Sequence, residues 1–398
     1  MNVPTPMPAA PSLRPEAERA PSSGIVDVFN YGRNREGLIP LWVGEGDLPT
    51  PSFICEAAAA SLARGETFYT YQRGIPELRE ALSRYHERVY GRPVDPERFF
   101  VSAGGMHALQ MAVRMVAGTG DEVLVPTPAW PNFVGAITVA GAQPVSVPLA
   151  KDERGWRLDL DRLAAALTPR TKAIVVNSPS NPTGWTASAS DQRAILDLAR
   201  RRGLWIIADE IYGRFVYDPA LKVGTGRAPS FRDAMDEEDR VFFVQTFSKN
   251  WAMTGWRLGW LEAPSALGQV IENLVQCSTS GVPTFIQRAG VAALEDGEAF
   301  LAEQIGRATR GRDLVGALTK TGRVDLPPPS GAFYAFFAVP GAASREIAIR
   351  LIEEADVGLA PGSAFGEGGE GHVRLCFLRK SADLEEAVAR IGRALASW

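Results

Sequence analysis

The chain has 398 residues, of which 45% are hydrophobic and 22% are charged, and its formal net charge is −4. This length exceeds the size at which one core keeps growing, so we expect a large domain with a smaller companion. The 42 basic and 46 acidic side chains form no long run of either sign, which gives no reason to expect a nucleic-acid or membrane partner. No apolar run reaches the roughly 18 residues of a membrane span.

The cysteines and histidines are few and scattered. The three cysteines are odd in number and form no CxxC pair, so neither a disulfide framework nor a zinc site is indicated. The three histidines are equally dispersed, which argues against a metal cluster or a serine-type triad. We therefore expect a cytoplasmic protein without a bound metal.

The N-terminal 24 residues are rich in Pro and Ala and lack the apolar core of a signal peptide. They are interpreted as a mobile tail. We predict an N-terminal arm and part of a small domain over 25–60. A large domain is predicted over 61–280, and a linking helix with a small C-terminal domain over 281–398. Within the large domain, "PELREALSRYHERVYG" is typical of an amphipathic helix.

Short apolar runs alternate with helix-period segments over residues 97–261. Each run is bounded by Gly, Pro, Asn or Asp, as strands are, and the runs are "RFFVSA", "EVLVP", "QPVSVPL", "KAIVVN", "LWIIAD", "RVFFVQTF" and "WRLGWLEA". Between two of them, "ASDQRAILDLARRRG" has acidic and basic residues at the ends where a helix favours them. This alternation predicts an α/β fold whose mostly parallel sheet is covered by helices on both faces.

The pattern changes after residue 263. Long helical stretches are predicted over 266–280 and 283–321. They are followed by "PPPSGAFYAFFAV", "HVRLCF" and the amphipathic "ADLEEAVARIGRALASW", which together predict the smaller α/β domain. The run "HVRLCF" suits a strand in which every second side chain, including Arg374, faces inward.

Chemically distinctive residues follow several predicted strands, where ligands of open α/β sheets collect. "VSAGGMHAL" leads from a strand into a helix, so its backbone N–H groups could hold a phosphate, although Gly-Gly is also a common turn. "VVNSPSNPTGW" supplies Asn177 and Asn181, which also suit an ordinary loop. In "LWIIADEIYGRF" the strand runs directly into Asp209, a carboxylate that needs a cationic partner if buried, unless it caps the next helix.

The stretch "QTFSKNWAMTGWRLGW" contains Lys249, one of six lysines beside 36 arginines. Alone it could be a surface lysine beside a turn. Together with the Asp, the glycine turn, Arg257 with its neighbouring hydroxyls and Trp130 of "PTPAWPNF", it meets the requirements of pyridoxal 5'-phosphate. The lysine would hold the aldehyde, the Asp would keep the ring nitrogen protonated, and the Arg and backbone N–H groups would anchor the phosphate.

At this point the sequence resembles the class I/II aminotransferases, which are fold type I pyridoxal-phosphate enzymes. The resemblance runs from "LWVGEGDLPTP" to the C-terminus, and "YTYQRGIPELREAL", "SPSNPTG", "ADEIY" and "TFSKNWAMTGWRLG" occur in the family's order. It implies a large domain with a mostly parallel seven-stranded sheet between helices and a smaller α/β domain. It also implies that Lys249 forms the Schiff base with the cofactor.

The resemblance assigns further cofactor contacts. The phosphate would be held by the backbone amides of Gly105 and Met106 and by the side chains of Thr246, Ser248 and Arg257. Tyr69 matches a tyrosine that reaches the phosphate of the neighbouring subunit, which implies a homodimer with a shared active site. Trp130 would stack on the ring, Asp209 would pair with its nitrogen, and Tyr212 and Asn181 would hydrogen-bond its hydroxyl oxygen.

For the substrate, the resemblance implies that Arg374 clamps the α-carboxylate, with Asn181 and Gly44 beside it. Gly46 departs from the family pattern, where many relatives have Pro, and no second arginine is clearly placed for a distal carboxylate. We expect two half-reactions between an L-amino acid and a 2-oxo acid, in which the freed Lys249 amine moves a proton between the substrate Cα and the cofactor C4′. The alternatives are a carbon–sulfur β-lyase or cyclising synthase of the same fold and, from another class, a cofactor-binding regulatory module.

Overall fold

The computed structural model describes residues 13–152 and 155–398. The first half of the predicted N-terminal tail, residues 1–12, lies outside the described residues, and residues 13–23 include a short helix, Pro15–Glu18. The domain boundaries drawn from the sequence remain a prediction.

Helices and strands alternate through the described residues. The helices are α1 Pro15–Glu18, α2 Gly24–Gly32, α3 Ser52–Ala63, α4 Pro76–Tyr90, α5 Gly105–Val116, α6 Pro131–Val139, α7 Leu160–Ala165, α8 Ala189–Arg202, α9 Gly268–Gln276, α10 Thr284–Asp296, α11 Glu298–Gly316, α12 Ser344–Ala355 and α13 Ser381–Ala396. The strands are β1 Ile39–Pro40, β2 Phe99–Ser102, β3 Glu122–Thr127, β4 Gln143–Pro148, β5 Ala150–Asp152, β6 Gly155–Arg157, β7 Thr171–Asn177, β8 Trp205–Asp209, β9 Val241–Thr246, β10 Gly259–Glu262, β11 Tyr334–Ala338, β12 Val357–Gly358, β13 Ala360–Pro361 and β14 His372–Cys376. Within the described part of the chain, none of the helices is long and apolar enough to cross a membrane.

The central sheet contains the seven strands that the apolar runs predict. Their order is β2-β10-β9-β8-β7-β3-β4. All neighbours are parallel except that β10 is antiparallel to both β2 and β9. The expectation of a mostly parallel seven-stranded sheet is confirmed.

Helices cover both faces of this sheet because successive strand residues point to opposite faces. In β3, Val123 and Val125 pack in one buried cluster with side chains of α5, α6 and α9. Leu124 lies between them and packs in another cluster with side chains of α7 and α8. Helix α8 forms as its sequence predicts: Ser188 and Asp191 make a capping box at its start, and Gly203 ends it in a left-handed conformation at φ 65°.

The smaller sheet has the order β11-β14-β13, and β1 pairs with β12 beside it. The prediction that β14 has only one inward face is wrong, because Val373, Arg374, Leu375 and Cys376 are all buried. The strand packs in a cluster that contains side chains of α12 and α13 as well as Tyr212 from the segment after β8. Both faces are therefore covered, and Arg374 lies where the two sheets approach each other.

The helical stretch predicted over 283–321 is divided at Gly297, between α10 and α11. A Cβ at this position would lie 2.5 Å from Trp251 Nε1, so the close approach of the chain to the indole requires glycine. The stretch predicted over 266–280 is also shorter, since α9 covers only Gly268–Gln276.

Candidate active site

A cavity of about 590 Å³ opens at the carboxyl ends of β7, β8 and β9. Its walls include the first residues of α5, the outer face of α2 and two side chains of the small sheet, Tyr334 and Arg374. The parallel strands bring their last residues to one edge of the sheet, so segments far apart in sequence meet there. Nearly all residues singled out from the sequence line this cavity; only Tyr69 does not.

Asp209 ends β8 at the floor of the cavity and is only 2% exposed. Its Oδ1 accepts a long hydrogen bond of 3.4 Å from the Ile211 amide. Burial raises the pKa of this carboxyl to about 7, although the Ile211 amide and the charge of Lys249 act in the opposite direction. Among the described residues no cation forms an ion pair with Asp209, so its charge calls for a positive group from a ligand.

Lys249 lies three residues after β9 and is half-buried. Its Nζ donates a 2.7 Å hydrogen bond to the Gly44 carbonyl oxygen, and it lies 5.9 Å from the centre of the Tyr212 ring. Burial lowers the pKa of the Lys249 amine to about 8. More of this side chain is therefore the neutral, nucleophilic amine near neutral pH than for an ordinary lysine.

A group of hydrogen-bond donors lies around the N-terminus of α5 and the end of β9, the strand beside β8. Gly105 and Met106 are the first two residues of this helix, so their N–H groups are free of intrahelical partners. The Thr246 hydroxyl donates to Ser248 Oγ at 2.9 Å. Arg257 crosses Gly104 so closely that a Cβ on this glycine would lie 2.5 Å from Nη2. The arrangement suits an anion.

Arg374 is 2% exposed, and among the described residues it has no carboxylate partner. Its Nη1 donates to Asn181 Oδ1 at 3.0 Å, and its Nη2 donates to the Trp42 carbonyl oxygen. Its Nε has no hydrogen-bond partner within the described part of the molecule. A buried guanidinium with unused donor capacity is a site for an anionic ligand.

The remaining predicted residues also line the cavity. Trp130 precedes α6 and packs edge-on against Phe133, with ring centres 5.5 Å apart. The backbone N–H of Asn181 donates a 2.8 Å hydrogen bond to Asn177 Oδ1, which fixes the position of Asn181. Gly44 cannot carry a side chain, because a Cβ would lie 2.5 Å from the Tyr334 hydroxyl.

Tyr69 is the exception: it is 95% exposed and lies in a separate surface pocket with residues 279–285. Its own chain does not bring it to the cavity. No group of three or more His, Cys, Asp or Glu side chains that could hold a metal ion occurs within the described ranges.

Two residues that make polar contacts in the cavity, Tyr334 and Trp42, were not singled out from the sequence, and a third, Asn177, was named only with an ordinary loop as the alternative. Tyr334 looks like a core aromatic of an apolar strand, yet its hydroxyl lies 2.8 Å from that of Tyr212. Asn177 ends β7, and its side chain donates to the Asp209 carbonyl oxygen at 3.2 Å; its place at a strand end was the available signal. Trp42 contributes through its carbonyl oxygen, for which residue type gives no signal.

The cavity can therefore combine a nucleophilic amine, a buried carboxylate without a cationic partner among the described residues, and two separate anion sites. Tyr212 lies between them, and burial together with Tyr334 holds the pKa of its phenol well above the usual range. The phenol remains a hydrogen-bond donor throughout the physiological pH range.

Comparisons with known proteins agree with this geometry. The family model described as "Aminotransferase class I and II" matches residues 36–391. An aspartate aminotransferase of Pyrococcus horikoshii is 35% identical, with 94% of each chain covered. Aromatic-amino-acid aminotransferase 2 of Thermococcus litoralis is also 35% identical, with 96% of this chain and 98% of the relative covered.

The fold agrees as well. The solved structure of a Thermus thermophilus aspartate aminotransferase variant superimposes with a TM-score of 0.89 at 33% identity, covering 97% of this chain and 100% of the other. The α/β architecture is thus the fold type I architecture of these enzymes. With family, relatives and fold matching over almost its whole length, the chain belongs to the class I and II aminotransferases and is an enzyme that transfers amino groups.

Proposed function

We propose that this aminotransferase binds pyridoxal 5'-phosphate in the cavity at the strand ends. It would move an amino group between an L-amino acid and a 2-oxo acid in two half-reactions. The observation that carries the proposal is the pairing of Lys249, with a lowered pKa, and Asp209, a buried carboxylate without a cationic partner among the described residues, in one cavity.

The residues present fit this cofactor. Asp209 at the cavity floor would offer its charge to a protonated pyridine nitrogen, which would lower the raised pKa of the carboxyl toward its ordinary value. The N-terminus of α5, with Thr246, Ser248 and Arg257, would hold the phosphate by charge-assisted hydrogen bonds. Trp130 would cover one ring face.

Pyridoxal phosphate supplies an aldehyde that takes up the amino group and a ring that accepts electrons from the substrate Cα. The chain would supply the rest. Lys249 would hold the aldehyde covalently at rest and, once released, would take the proton from the substrate Cα and deliver it to the cofactor C4′. Tyr212 and Asn181 would donate hydrogen bonds to the ring hydroxyl oxygen.

Arg374 would bind the substrate α-carboxylate. Its guanidinium donates hydrogen bonds to Asn181 Oδ1 and to the Trp42 carbonyl oxygen. The ring centres of Tyr334 and Phe365 lie 4.7 and 5.0 Å from its Cζ. These contacts fix the orientation of the Arg374 guanidinium before substrate binds, so little side-chain entropy is lost on binding. With the carboxylate fixed, the substrate Cα is presented to Lys249.

We further propose a homodimer with a shared active site. Tyr69 is almost fully exposed and outside the cavity of its own chain, so its expected contact with a cofactor phosphate requires the partner subunit. The three cysteines are free, which supports a reducing compartment such as the cytoplasm.

A product assay tests the reaction type. The purified enzyme with cofactor, an amino acid and a 2-oxo acid should form the new amino acid and the new 2-oxo acid in equal amounts. Lys249→Ala is the matched inactive control. Release of ammonia with pyruvate from a cysteine-type substrate, without amino exchange, would favour the β-lyase alternative and contradict the proposal.

A further inference from the structure

We propose that the amino donor carries an uncharged, apolar side chain, aromatic or branched aliphatic, and that the site rejects a second carboxylate. This inference rests on the proposed function and adds a substrate class to it. The family relatives do not decide the matter, since one is named for aspartate and another for aromatic amino acids.

The first observation is the apolar wall of the cavity. Helix α2 lies along it and presents Ile25, Val26 and Phe29 to the cavity. Val28 of the same helix is fully buried in the cluster around the small sheet, against which Ile25 and Phe29 also pack, so the orientation of α2 is fixed. Together with Val43 and Phe133 from other segments, these side chains form a hydrocarbon wall. Burial of an apolar substrate side chain here would be favourable.

The second observation concerns charge. Among the described residues, the basic side chains that line the cavity are Lys249, Arg257 and Arg374. Each already has a proposed partner: the cofactor aldehyde, the phosphate and the α-carboxylate. A second substrate carboxylate would therefore lose its water without gaining a cation.

Glu45 further disfavours the binding of a second substrate carboxylate. It lines the same cavity, and its charge acts on both Lys249 and Tyr334, which places it toward the reacting end. A distal carboxylate in the cavity would be repelled by it. A cationic donor would be attracted, but the wall formed by Ile25, Val26 and Phe29 offers it no acidic partner.

The third observation concerns the partner subunit. In the proposed dimer, the residues around Tyr69 would lie near the cavity of the partner subunit together with Tyr69. That surface consists of Thr67–Thr70 and residues 279–285, and it contains no charged side chain. Phe68 beside Tyr69 is 85% exposed. The residues of this pocket would thus bring aromatic and hydroxyl groups to the neighbouring site.

The test compares donors in a single half-reaction, followed by the cofactor absorbance of the holoenzyme. L-Phenylalanine and L-leucine should each convert the cofactor at least 100-fold more efficiently than L-aspartate or L-lysine. Calorimetric titration provides a readout independent of turnover: 3-phenylpropanoate, which has one carboxylate and no amino group, should bind more tightly than succinate.

A substitution then tests the missing cation. Val26→Arg places a guanidinium at the rim of the cavity, where Val26 is 53% exposed. It should raise the efficiency with aspartate relative to phenylalanine by about tenfold, as a newly paired carboxylate would. Val270→Arg is the matched control, because Val270 is 50% exposed on α9 and does not line the cavity; the ratio should not change.

The outcomes separate this inference from the function on which it rests. A protein without cofactor absorbance would overturn the proposed function. A normal cofactor spectrum with aspartate as effective as phenylalanine, or with lysine the best donor, would overturn only the apolar donor class. Succinate binding more tightly than 3-phenylpropanoate would also overturn it.

Discussion

The phenol oxygens of Tyr212 and Tyr334 lie 2.8 Å apart in the cavity, joining the segment after β8 to strand β11 of the small sheet. Tyr334 also donates to the Gly44 carbonyl oxygen at 3.3 Å, the same oxygen that accepts from Lys249. The orientation of the Tyr212 hydroxyl and the position of the Gly44 segment therefore depend on one side chain.

Tyr334→Phe should lower kcat/KM by about 3- to 10-fold, because one hydrogen bond contributes about 0.5–1.5 kcal/mol. Tyr212→Phe and the double variant complete a double-mutant cycle. The loss of kcat/KM in the double variant, expressed as a free energy, should be smaller than the sum of the losses in the two single variants. The control is Tyr217→Phe, since Tyr217 donates to the Ala332 carbonyl oxygen away from the cavity. If Tyr334→Phe alters only the unfolding free energy, as the control should, the hydroxyl has no positioning role.

Arg374→Ala should reduce kcat/KM by about 30-fold or more with every amino donor, because the α-carboxylate then loses a buried, charge-assisted partner worth roughly 2–5 kcal/mol. Arg374→Lys should recover little, since an ammonium cannot reproduce the two-pronged contact. Cofactor absorbance should persist in both variants. Kinetics with three chemically different donors decide the matter: a loss confined to one donor, or no loss, contradicts the assignment.

Asp209 predicts a pH-dependent stability of the cofactor-free protein. Its folded-state pKa is raised to about 7, above the ordinary value of about 3.9. The stability it contributes is thus fully present below about pH 4 and is lost as the pH rises through 7. Asp209→Asn does not ionise, so its unfolding free energy should exceed that of the wild type by up to about 4 kcal/mol at pH 8 and by far less at pH 5.

Urea unfolding of the cofactor-free proteins at both pH values measures this difference. The control is Asp161→Asn, whose carboxylate is exposed in the first turn of α7 and should show no such pH-dependent gain. An Asp209→Asn variant that is less stable than the wild type at pH 8 would show that a cation of the chain already pairs with the carboxylate.

Tyr69 provides a test of the shared site. Sedimentation should give about twice the 42.9 kDa chain mass. Tyr69→Phe should release cofactor more readily, whereas Tyr71→Phe, at an exposed neighbour, should not. Mixing Tyr69→Ala and Lys249→Ala subunits under exchange conditions should restore up to about a quarter of the wild-type activity, because random pairing gives that share of intact sites. Activity equal to the sum of the separate variants would contradict a shared site.

The sequence predicted the central sheet well because six of its seven strands are largely buried runs and all seven are bounded by turn residues; β4 is the partly exposed exception. The same reasoning located Asp209, which ends one such run, and Lys249, which lies three residues after another. It failed for Arg374's strand, where burial on both faces comes from helices α12 and α13 together with Tyr212, which lies in a segment distant in sequence. Periodicity within one strand cannot report how many layers cover it.

Contacts between the two sheets also could not be predicted from local sequence patterns. Tyr334 and Trp42 resemble ordinary core aromatics, and their roles arise from a hydroxyl and a carbonyl oxygen that meet partners more than one hundred residues away in the chain. Gly44 carried no distinguishing signal apart from the family resemblance, although its neighbour Tyr334 leaves no room for a Cβ.

The most direct test of the account is the location of the covalently held cofactor. The holoenzyme should be reduced with borohydride, digested and analysed by mass spectrometry, with Lys249→Ala treated in parallel. The account predicts the added cofactor mass on the peptide that contains Lys249, and on no other of the six lysines. Lys249→Ala should bind cofactor without carrying added mass. Cofactor mass on a different lysine, or a wild-type protein that acquires none, would contradict the central claim.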